Sequence, residues 1–283
     1  MGWVLGLVFR LGRFRSIIIQ QNLAIAYPGT DPESIQIRRD LYREAYLHLG
    51  NLILEIFLVF GGMKYFIRKN VTVKGLSNWN ELHSKNKGVI IISSHVGNWE
   101  IMSTAAAQSG MPVLIVTKHL KPEWFHLEFE RARKRNGVLC AFEPKTMRGI
   151  LGHLKKKHTV GFIVDQYAGP PVGIRVPFFG VPVGTMTAIA AIAKRNGCLI
   201  LPAVHYRGSG GRMTLEFSPE VPWITDENPN REIALNTAQF ASVIEGHIRQ
   251  HPEQWLWTHR RFKGDLSPLK ENEWDGSRVR NGG

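Results

Sequence analysis

The octapeptide SSHVGNWE, residues 93–100, places a histidine and a glutamate five positions apart, directly after the apolar run VIII. A neutral imidazole can take a proton at one nitrogen while a carboxylate holds the other nitrogen and stabilises the imidazolium that forms. His95 and Glu100 thus have the residue types of a general base and its orienting partner. The spacing alone has little weight, since 11 histidines and 23 acidic residues in 283 positions give about 0.9 such pairs by chance (11 × 23/283).

The surrounding sequence indicates which elements must position these two side chains. From residue 71 onward, short apolar runs alternate with helix-like segments, a pattern typical of a mainly parallel sheet covered on both faces. We predict parallel strands at 71–75, 88–94, 111–117, 137–142, 159–165 and 198–206. An antiparallel strand is predicted at 213–218. Helices are predicted near 97–109, 121–135, 145–157, 184–195 and 230–252.

The first 68 residues lack this alternation and are predicted to be helical. One helix ends at Pro28-Gly29, and Asp31 followed by Pro32 is a typical start for the next. We therefore divide the chain into an N-terminal helical, membrane-associating segment at 1–68, an α/β domain at 69–264 and a tail at 265–283.

In an open α/β sheet, ligands bind beyond the carboxyl ends of the strands. His95 is expected at such an end, with Glu100 in the first turn of the following helix, where Gly97 permits a sharp turn and Asn98 can cap. No Gly-x-Ser-x-Gly elbow accompanies the motif, so no covalent nucleophile is evident. The remaining chemistry is direct attack by a substrate hydroxyl that His95 deprotonates. Backbone N–H groups near Gly97 or a basic side chain are the candidate oxyanion donors.

The composition points to an anionic partner. The chain has 36 Lys and Arg against 23 Asp and Glu, a net charge of +13, and its pI is near 10.0. No motif of a known nucleic-acid-binding module is present, so we expect no nucleic-acid partner. Cys140 and Cys198 lie in apolar, strand-like segments and are interpreted as buried free thiols without a chemical role. His247 and His251 share a helix face, but no third metal ligand stands out, so we expect no metal site.

The N-terminal stretch MGWVLGLVF offers nine mostly apolar residues, whereas a membrane-spanning helix needs about 20. Basic residues follow this stretch, while a secretory signal has them first. We therefore expect neither a span nor export. The helix predicted at 41–60 is apolar around more than half its circumference, which suits either the core or a membrane interface beside the basic KYFIRK.

At its central motif the sequence resembles the bacterial lipid A late acyltransferases of the lysophospholipid acyltransferase superfamily, whose His-x4-acid motif matches SSHVGNWE. Further blocks resemble the same family in order: QQNLAIAYPG at 20–29, GFIVDQ with VPFFG at 161–180, and HPEQWLWTHRRFK at 251–263. The resemblance implies transfer of a fatty acyl chain from acyl carrier protein to a hydroxyl of a lipid A precursor. Members usually begin with a hydrophobic anchor, and this sequence is expected to be peripheral instead.

Carried over to this sequence, the resemblance makes His95 the general base and Glu100 its partner. It implies substrate-binding roles for Arg133, within RARKRNG, and for Asp165, the acid of the DQ block. Arginine offers a planar fork for a phosphate or carboxylate, although Arg133 also suits a solvated basic face. Asp165 also suits a cap at the start of a loop.

Two further pairs are candidate substrate-binding residues. Phe178 and Phe179 suit either a packed loop or, as the family implies, the wall of an acyl-chain groove. Arg260 and Arg261 form the basic end of WLWTHRRFK and either anchor the terminus or contact lipid phosphates.

The resemblance thus implies an acyltransferase, and we expect it at the cytoplasmic face of an inner membrane. Its expected partners are acyl carrier protein, an anionic membrane and a glycolipid acceptor, with no cofactor beyond an acyl carrier protein or coenzyme A thioester. Two alternatives stay open: the same chemistry on a lysophospholipid, a phosphatidylinositol mannoside or another lipid hydroxyl, and a non-catalytic binder of anionic membranes. Hydrolysis of the thioester by water is a minor variant.

Overall fold

A computed structural model describes residues 2–142 and 146–269. The N-terminal part is helical, as predicted, with α1 Gly2–Leu11, α2 Ser16–Ala26, α3 Pro32–Ile56 and α4 Met63–Asn70. α1 crosses α3 closely because glycines meet at the crossing: a Cβ on Gly6 would lie 2.5 Å from the Tyr46 carbonyl oxygen. Asp31 caps α3 by accepting a hydrogen bond from the Ser34 backbone N–H. In the described part of the chain, no helix is long and apolar enough to cross a bilayer.

The rest is an α/β fold with a mainly parallel central sheet. Its elements are β1 Val71–Lys74, α5 Leu76–Ser84, β2 Val89–Ser93, α6 Trp99–Gln108, β3 Val113–Val116, α7 Glu123–Arg135, β4 Leu139–Ala141, α8 Thr146–Lys155, β5 Thr159–Ile163, β6 Gly173–Phe178, β7 Val181–Met186, α9 Ala188–Asn196, β8 Leu199–Arg207, β9 Met213–Phe217 and α10 Pro229–Gln250. The sheet order is β1-β9-β8-β2-β5-β3-β4, and only the β8–β9 pair is antiparallel. The predicted fold class is confirmed.

Helices cover both faces at the centre of the sheet, which explains why β2 and β8 are buried without alternation, whereas β1 and β9 alternate. Along β2, Ile90 and Ile92 face one hydrophobic cluster while Val89 and Ile91 face the other. All four are at most 5% exposed, so β2 is a central strand buried on both sides. This position brings the segment after β2 to the middle of the carboxyl edge of the sheet.

The two strands of the β6–β7 hairpin were not predicted from the sequence. Phe178 pairs with Val181, so Phe179 and Gly180 form a two-residue turn with φ of 50° and 77°. Two-residue hairpin turns with positive φ match the twist of the flanking strands. The proposed division at residues 68 and 264 stays a prediction, and most of the predicted tail, 270–283, lies outside the described residues.

Candidate active site

His95 lies just beyond the carboxyl end of β2. β2 and β5 are parallel neighbours, and Ser93 is in register with Ile163. His95 and Asp165 each follow two residues later, so the parallel pairing places them side by side. The distance from His95 Nδ1 to Asp165 Oδ1 is 2.7 Å, and both residues are buried. The register of β2 and β5 thus places the Asp165 carboxylate beside the His95 imidazole.

Asp165 is held in its ionised form by several hydrogen bonds. Its Oδ2 accepts one from the His95 backbone N–H at 2.8 Å and one from the Trp255 indole N–H at 2.7 Å. Burial opposes ionisation of Asp165, but the His95 ring and these hydrogen bonds outweigh it and lower the pKa of Asp165 to about 2. An ionised Asp165 accepts only, so His95 donates from Nδ1 and keeps Nε2 as an acceptor.

The remaining surroundings of the His95 ring fix its orientation. The edge of Trp99 meets the ring at a centroid distance of 4.9 Å, and the His259 ring stacks on it at 5.7 Å. The Gln166 side-chain nitrogen lies 3.4 Å from His95 Nε2. Only 11% of the His95 side chain is exposed. An oriented imidazole whose Nε2 has only this long contact with Gln166, which a substrate hydroxyl can displace, suits general-base catalysis.

Glu100 pairs with Arg133 rather than with His95. Arg133 donates from Nε to Glu100 Oε2 at 2.9 Å and from Nη2 to Oε1, and both residues are buried. Burial opposes the charge on Arg133, but the pair with Glu100 outweighs it and raises the pKa of Arg133. The contacts expected of both residues are therefore corrected: neither nitrogen of His95 bonds Glu100, and the Arg133 fork is filled by a carboxylate of the chain itself.

Breaking this buried pair is expected to destabilise the fold. Glu100→Gln leaves the Arg133 charge buried without its counter-charge, which costs roughly 3–5 kcal/mol. Urea titration should show this loss in the free energy of unfolding. The exposed pair of Glu128 and Arg131 offers the control, since Glu128→Gln is expected to change stability by less than about 1 kcal/mol. Equal stability of the two variants would contradict a structural role for Glu100.

The turn that carries the motif is held by backbone hydrogen bonds. Gly97 adopts φ of 63° and donates its N–H to the Gln254 carbonyl at 3.0 Å. Asn98 donates its N–H to His205 Nδ1 at 3.0 Å, and its side chain caps α6 through the N–H groups of Glu100 and Ile101. The N–H groups of Gly97, Asn98, Glu100 and Ile101 are therefore occupied, and none of these four is a free oxyanion donor.

His205 couples the stability of this turn to pH. Its side chain is fully buried, and burial, aided by the Arg207 charge, lowers the pKa of His205 to about 3. In the unfolded chain His205 takes up a proton at about pH 6.5, whereas in the folded chain it stays neutral down to about pH 3. The free energy of unfolding therefore falls as the pH is lowered from about 6.5 towards 3, by up to about 1.4 kcal/mol per pH unit. We expect His205→Asn, which keeps an acceptor for Asn98, to lose about 2 kcal/mol less than the wild type between pH 7.5 and 5.0 in urea titrations. Identical losses would contradict this assignment.

A large basic cleft adjoins the pair of His95 and Asp165. It has a volume of about 1330 Å³ and lies between α2 and the C-terminal segment. His259 forms part of the wall of this cleft, and its ring stacks on the ring of His95. Four cationic side chains line it as well: Arg13, Arg15, Arg260 and Lys263. A cleft with these charges suits an anionic ligand, as the net charge had indicated.

Phe178 and Phe179 do not line an open groove. They are 0% and 4% exposed and pack against Trp255, Trp257 and Phe262. The wall expected for an acyl chain is therefore a packed core beneath the β6–β7 hairpin.

Arg260 and Arg261 have opposite environments although they are neighbours in the chain. Arg260 is exposed and lines the cleft, as a phosphate contact requires. Arg261 is fully buried and donates from Nη1 to the carbonyls of Gln166 and Gly184 at 2.7 and 2.9 Å. The lipid contact expected of Arg261 is corrected: this residue anchors the segment that follows β5.

Asp165 also differs from its expected role. The family resemblance implied that it binds substrate, whereas its carboxylate forms hydrogen bonds with His95 and Trp255. Sequence reasoning did not single out Gln166 or His259. Both stand in family-like blocks, beside Asp165 and Arg260 respectively, which is the only signal that could have found them.

Comparison with known proteins gives a consistent picture. The family model described as bacterial lipid A biosynthesis acyltransferase matches residues 1–264. A lipid A biosynthesis palmitoleoyltransferase of Escherichia coli K12 is 28% identical over 88% of this chain and 79% of its own length. A lauroyltransferase of the same pathway and organism is 26% identical over 91% of this chain and 82% of its own. A phosphatidylinositol mannoside acyltransferase of Mycolicibacterium smegmatis is 22% identical over 67% of this chain and 61% of its own.

The family match covers nearly the whole described chain, including the His95 motif, the Asp165 block and the C-terminal segment that packs on them. These are the parts that the structure brings together at the carboxyl edge of the sheet. This protein is an acyltransferase that belongs to the bacterial lipid A biosynthesis acyltransferase family.

Proposed function

We propose that the protein transfers a fatty acyl chain from an acyl thioester to a hydroxyl of a lipid A precursor or a related phosphorylated glycolipid. The observation that carries this proposal is the 2.7 Å contact between His95 and Asp165 beside a cleft lined by four cations. Phosphates of the acceptor suit those cations. The reaction itself needs no cofactor beyond the thioester.

In this mechanism, His95 Nε2 takes the proton of the acceptor hydroxyl as its oxygen attacks the thioester carbonyl. Asp165 keeps Nδ1 protonated and stabilises the imidazolium. The tetrahedral intermediate then collapses, the carbon–sulfur bond breaks and the thiol leaves with the proton that His95 returns. One ester bond forms and one thioester bond is lost. Positioning of the two substrates adds to base catalysis.

We propose acyl carrier protein as the donor. The net charge of +13 suits an acidic carrier, and electrostatic complementarity speeds the encounter of such partners. Coenzyme A is the alternative carrier. Because its phosphates also make it anionic, salt weakens both encounters, and initial rates with the two thioesters compared directly separate the donors.

Mass spectrometry of lipids incubated with the purified protein tests the proposal. The acceptors would be a lipid A precursor, a lysophospholipid and a phosphatidylinositol mannoside, each with acyl carrier protein and coenzyme A thioesters. Gain of one acyl mass on the lipid A precursor is the expected result. Acylation of only the lysophospholipid or the phosphatidylinositol mannoside would favour the same chemistry on another lipid acceptor. The similarity to a phosphatidylinositol mannoside acyltransferase supports that alternative. Free fatty acid without acylated lipid would indicate thioester hydrolysis.

We further propose that α1 and α2 lie on the surface of an anionic inner membrane, at its cytoplasmic face. Large apolar side chains on these helices face solvent: Trp3, Leu11 and Ile17 are 63%, 74% and 70% exposed. Arg10 and Arg13 flank them. An apolar face bordered by arginines suits insertion at the level of lipid headgroups.

The double change Trp3→Asp with Leu11→Asp is expected to weaken binding to anionic vesicles about hundredfold, since each side chain contributes roughly 1.5 kcal/mol or more when buried in lipid. Vesicle co-sedimentation measures this. Val172, which is 59% exposed in the loop before β6, gives the control Val172→Asp. Equal partitioning of the double variant and this control would exclude the helices as the membrane contact.

A further inference from the structure

A second cavity lies on the other side of α2, away from the catalytic pair. It has a volume of about 430 Å³, within the usual range of small-molecule sites. We propose that this α2–α3 groove binds a fatty chain already carried by the phosphorylated glycolipid acceptor, with an anionic group of the same molecule at its rim. The inference rests on the proposed function, because it names a further part of the same substrate's site.

The floor of the α2–α3 groove is apolar. Leu23 and Ala24 come from α2, and Ile35 and Tyr42 come from α3. Leu23 is 1% exposed and belongs to the main hydrophobic core, so the floor is continuous with packed protein. Apolar side chains in a concave site favour an apolar ligand, and a hydrocarbon chain is the lipid part that fits.

The rim of the groove is basic. Arg10, Arg38, Arg39 and Arg43 line it. Arg38 is fixed by donating to the backbone carbonyls of Tyr27 and Gly29. Arg43 has only a weak exposed contact with Asp40 at 3.9 Å, and within the described residues neither Arg10 nor Arg39 has an ion pair. Cations that the chain leaves without counter-charges suit an anion of the ligand.

The groove is connected to the active-site cleft through α2. Gln20 lines both cavities, while Asn22 faces the cleft and bonds the His259 carbonyl at 2.7 Å. The two cavities therefore adjoin at α2, which forms part of the wall of both. A glycolipid with phosphates and several chains can place its hydroxyl near His95 and one chain across α2. In an acyl thioester the pantetheine arm separates the fatty chain from the anionic groups of the carrier, so this cavity would not hold both.

A binding experiment tests the groove separately from catalysis. The catalytically impaired His95→Ala protein would be titrated in mixed micelles with the lipid A precursor and, in solution, with its fully deacylated counterpart. Ala24 is exposed on α2, so Ala24→Trp fills the groove without disturbing the core. We expect it to weaken binding of the chain-bearing ligand roughly tenfold or more and to leave the deacylated ligand unaffected. Ala191→Trp, at an exposed position of α9, is the matched control.

Equal affinity of the two tryptophan variants for the chain-bearing ligand would overturn the proposal. The proposal would also be overturned if Ala24→Trp weakened binding of an anionic phospholipid but left binding of the acceptor unchanged. If the proposed function is wrong, the wild-type protein will not transfer an acyl chain in the mass-spectrometry assay. If only the proposal for the groove is wrong, the wild-type protein will still transfer it.

The rim is tested by charge reversal. Arg39→Glu is expected to weaken binding of the phosphorylated ligand about five- to tenfold at low salt, with a smaller effect at high salt. Arg68→Glu, on the exposed side of α4, is the control of equal charge change. Equal effects of Arg39→Glu and Arg68→Glu would remove the rim from the site.

Discussion

Replacement of His95 with Ala is expected to lower kcat/KM for acyl transfer by a factor on the order of 10²–10⁴. In the proposed mechanism the imidazole is the general base, and the variant leaves the acceptor hydroxyl to lose its proton to water. Initial rates with an acyl carrier protein thioester and a lipid A precursor, followed by mass spectrometry, give the comparison. Binding of the acceptor should change little, because the loss concerns the chemical step.

His158→Ala is the control for this prediction, because His158 precedes β5 at the opposite edge of the sheet. Its rate is expected to match that of the wild type. If the His95 variant kept a rate within a fewfold of the control while both proteins bound anionic vesicles, the protein would not use His95 as a base.

Asp165→Asn is expected to lower kcat by a factor on the order of 10³–10⁴, since the amide keeps the shape of the side chain but no longer fixes the productive tautomer of its histidine. Trp255 also donates to the same carboxylate, so the amide nitrogen would meet an N–H donor in one of its two orientations. Steady-state kinetics measures kcat and the KM of each substrate.

The division between kcat and KM decides the role of Asp165. Asp165 is 2% exposed and bonds His95 and Trp255, so its loss should lower kcat with little change in KM. A raised KM for the acceptor at unchanged kcat would instead assign Asp165 to substrate binding, as the family resemblance had implied.

The centre of the sheet was predictable because its strands are largely buried and read as short, mostly apolar runs. Strands β2, β5 and β8 all fall within the predicted ranges to within one residue. The β6–β7 hairpin was missed because Pro177, Pro182 and Gly180 interrupt its pattern. Pro177 and Pro182 are paired in a two-stranded sheet in which both strands are edges, the place where proline is tolerated.

The site was only partly predictable, because sequence spacing does not give strand order. His95 and Glu100 are close in sequence, yet the carboxylate at His95 comes from a segment 70 residues away that the sheet order places beside it. Arg260 and Arg261 are equally basic, and only the folded path of the C-terminal segment separates an exposed cation from a buried anchor.

The central claim is that His95 and Asp165 act as one catalytic unit, and a double-mutant cycle tests it most directly. The four proteins are the wild type, His95→Ala, Asp165→Asn and the double variant, compared by kcat for acyl transfer to the lipid A precursor. Without the imidazole, Asp165 has nothing to orient, so the double variant should be no slower than His95→Ala alone. Additive losses, with the double variant slower by the product of the two factors, would mean that the two residues act independently and would contradict the account.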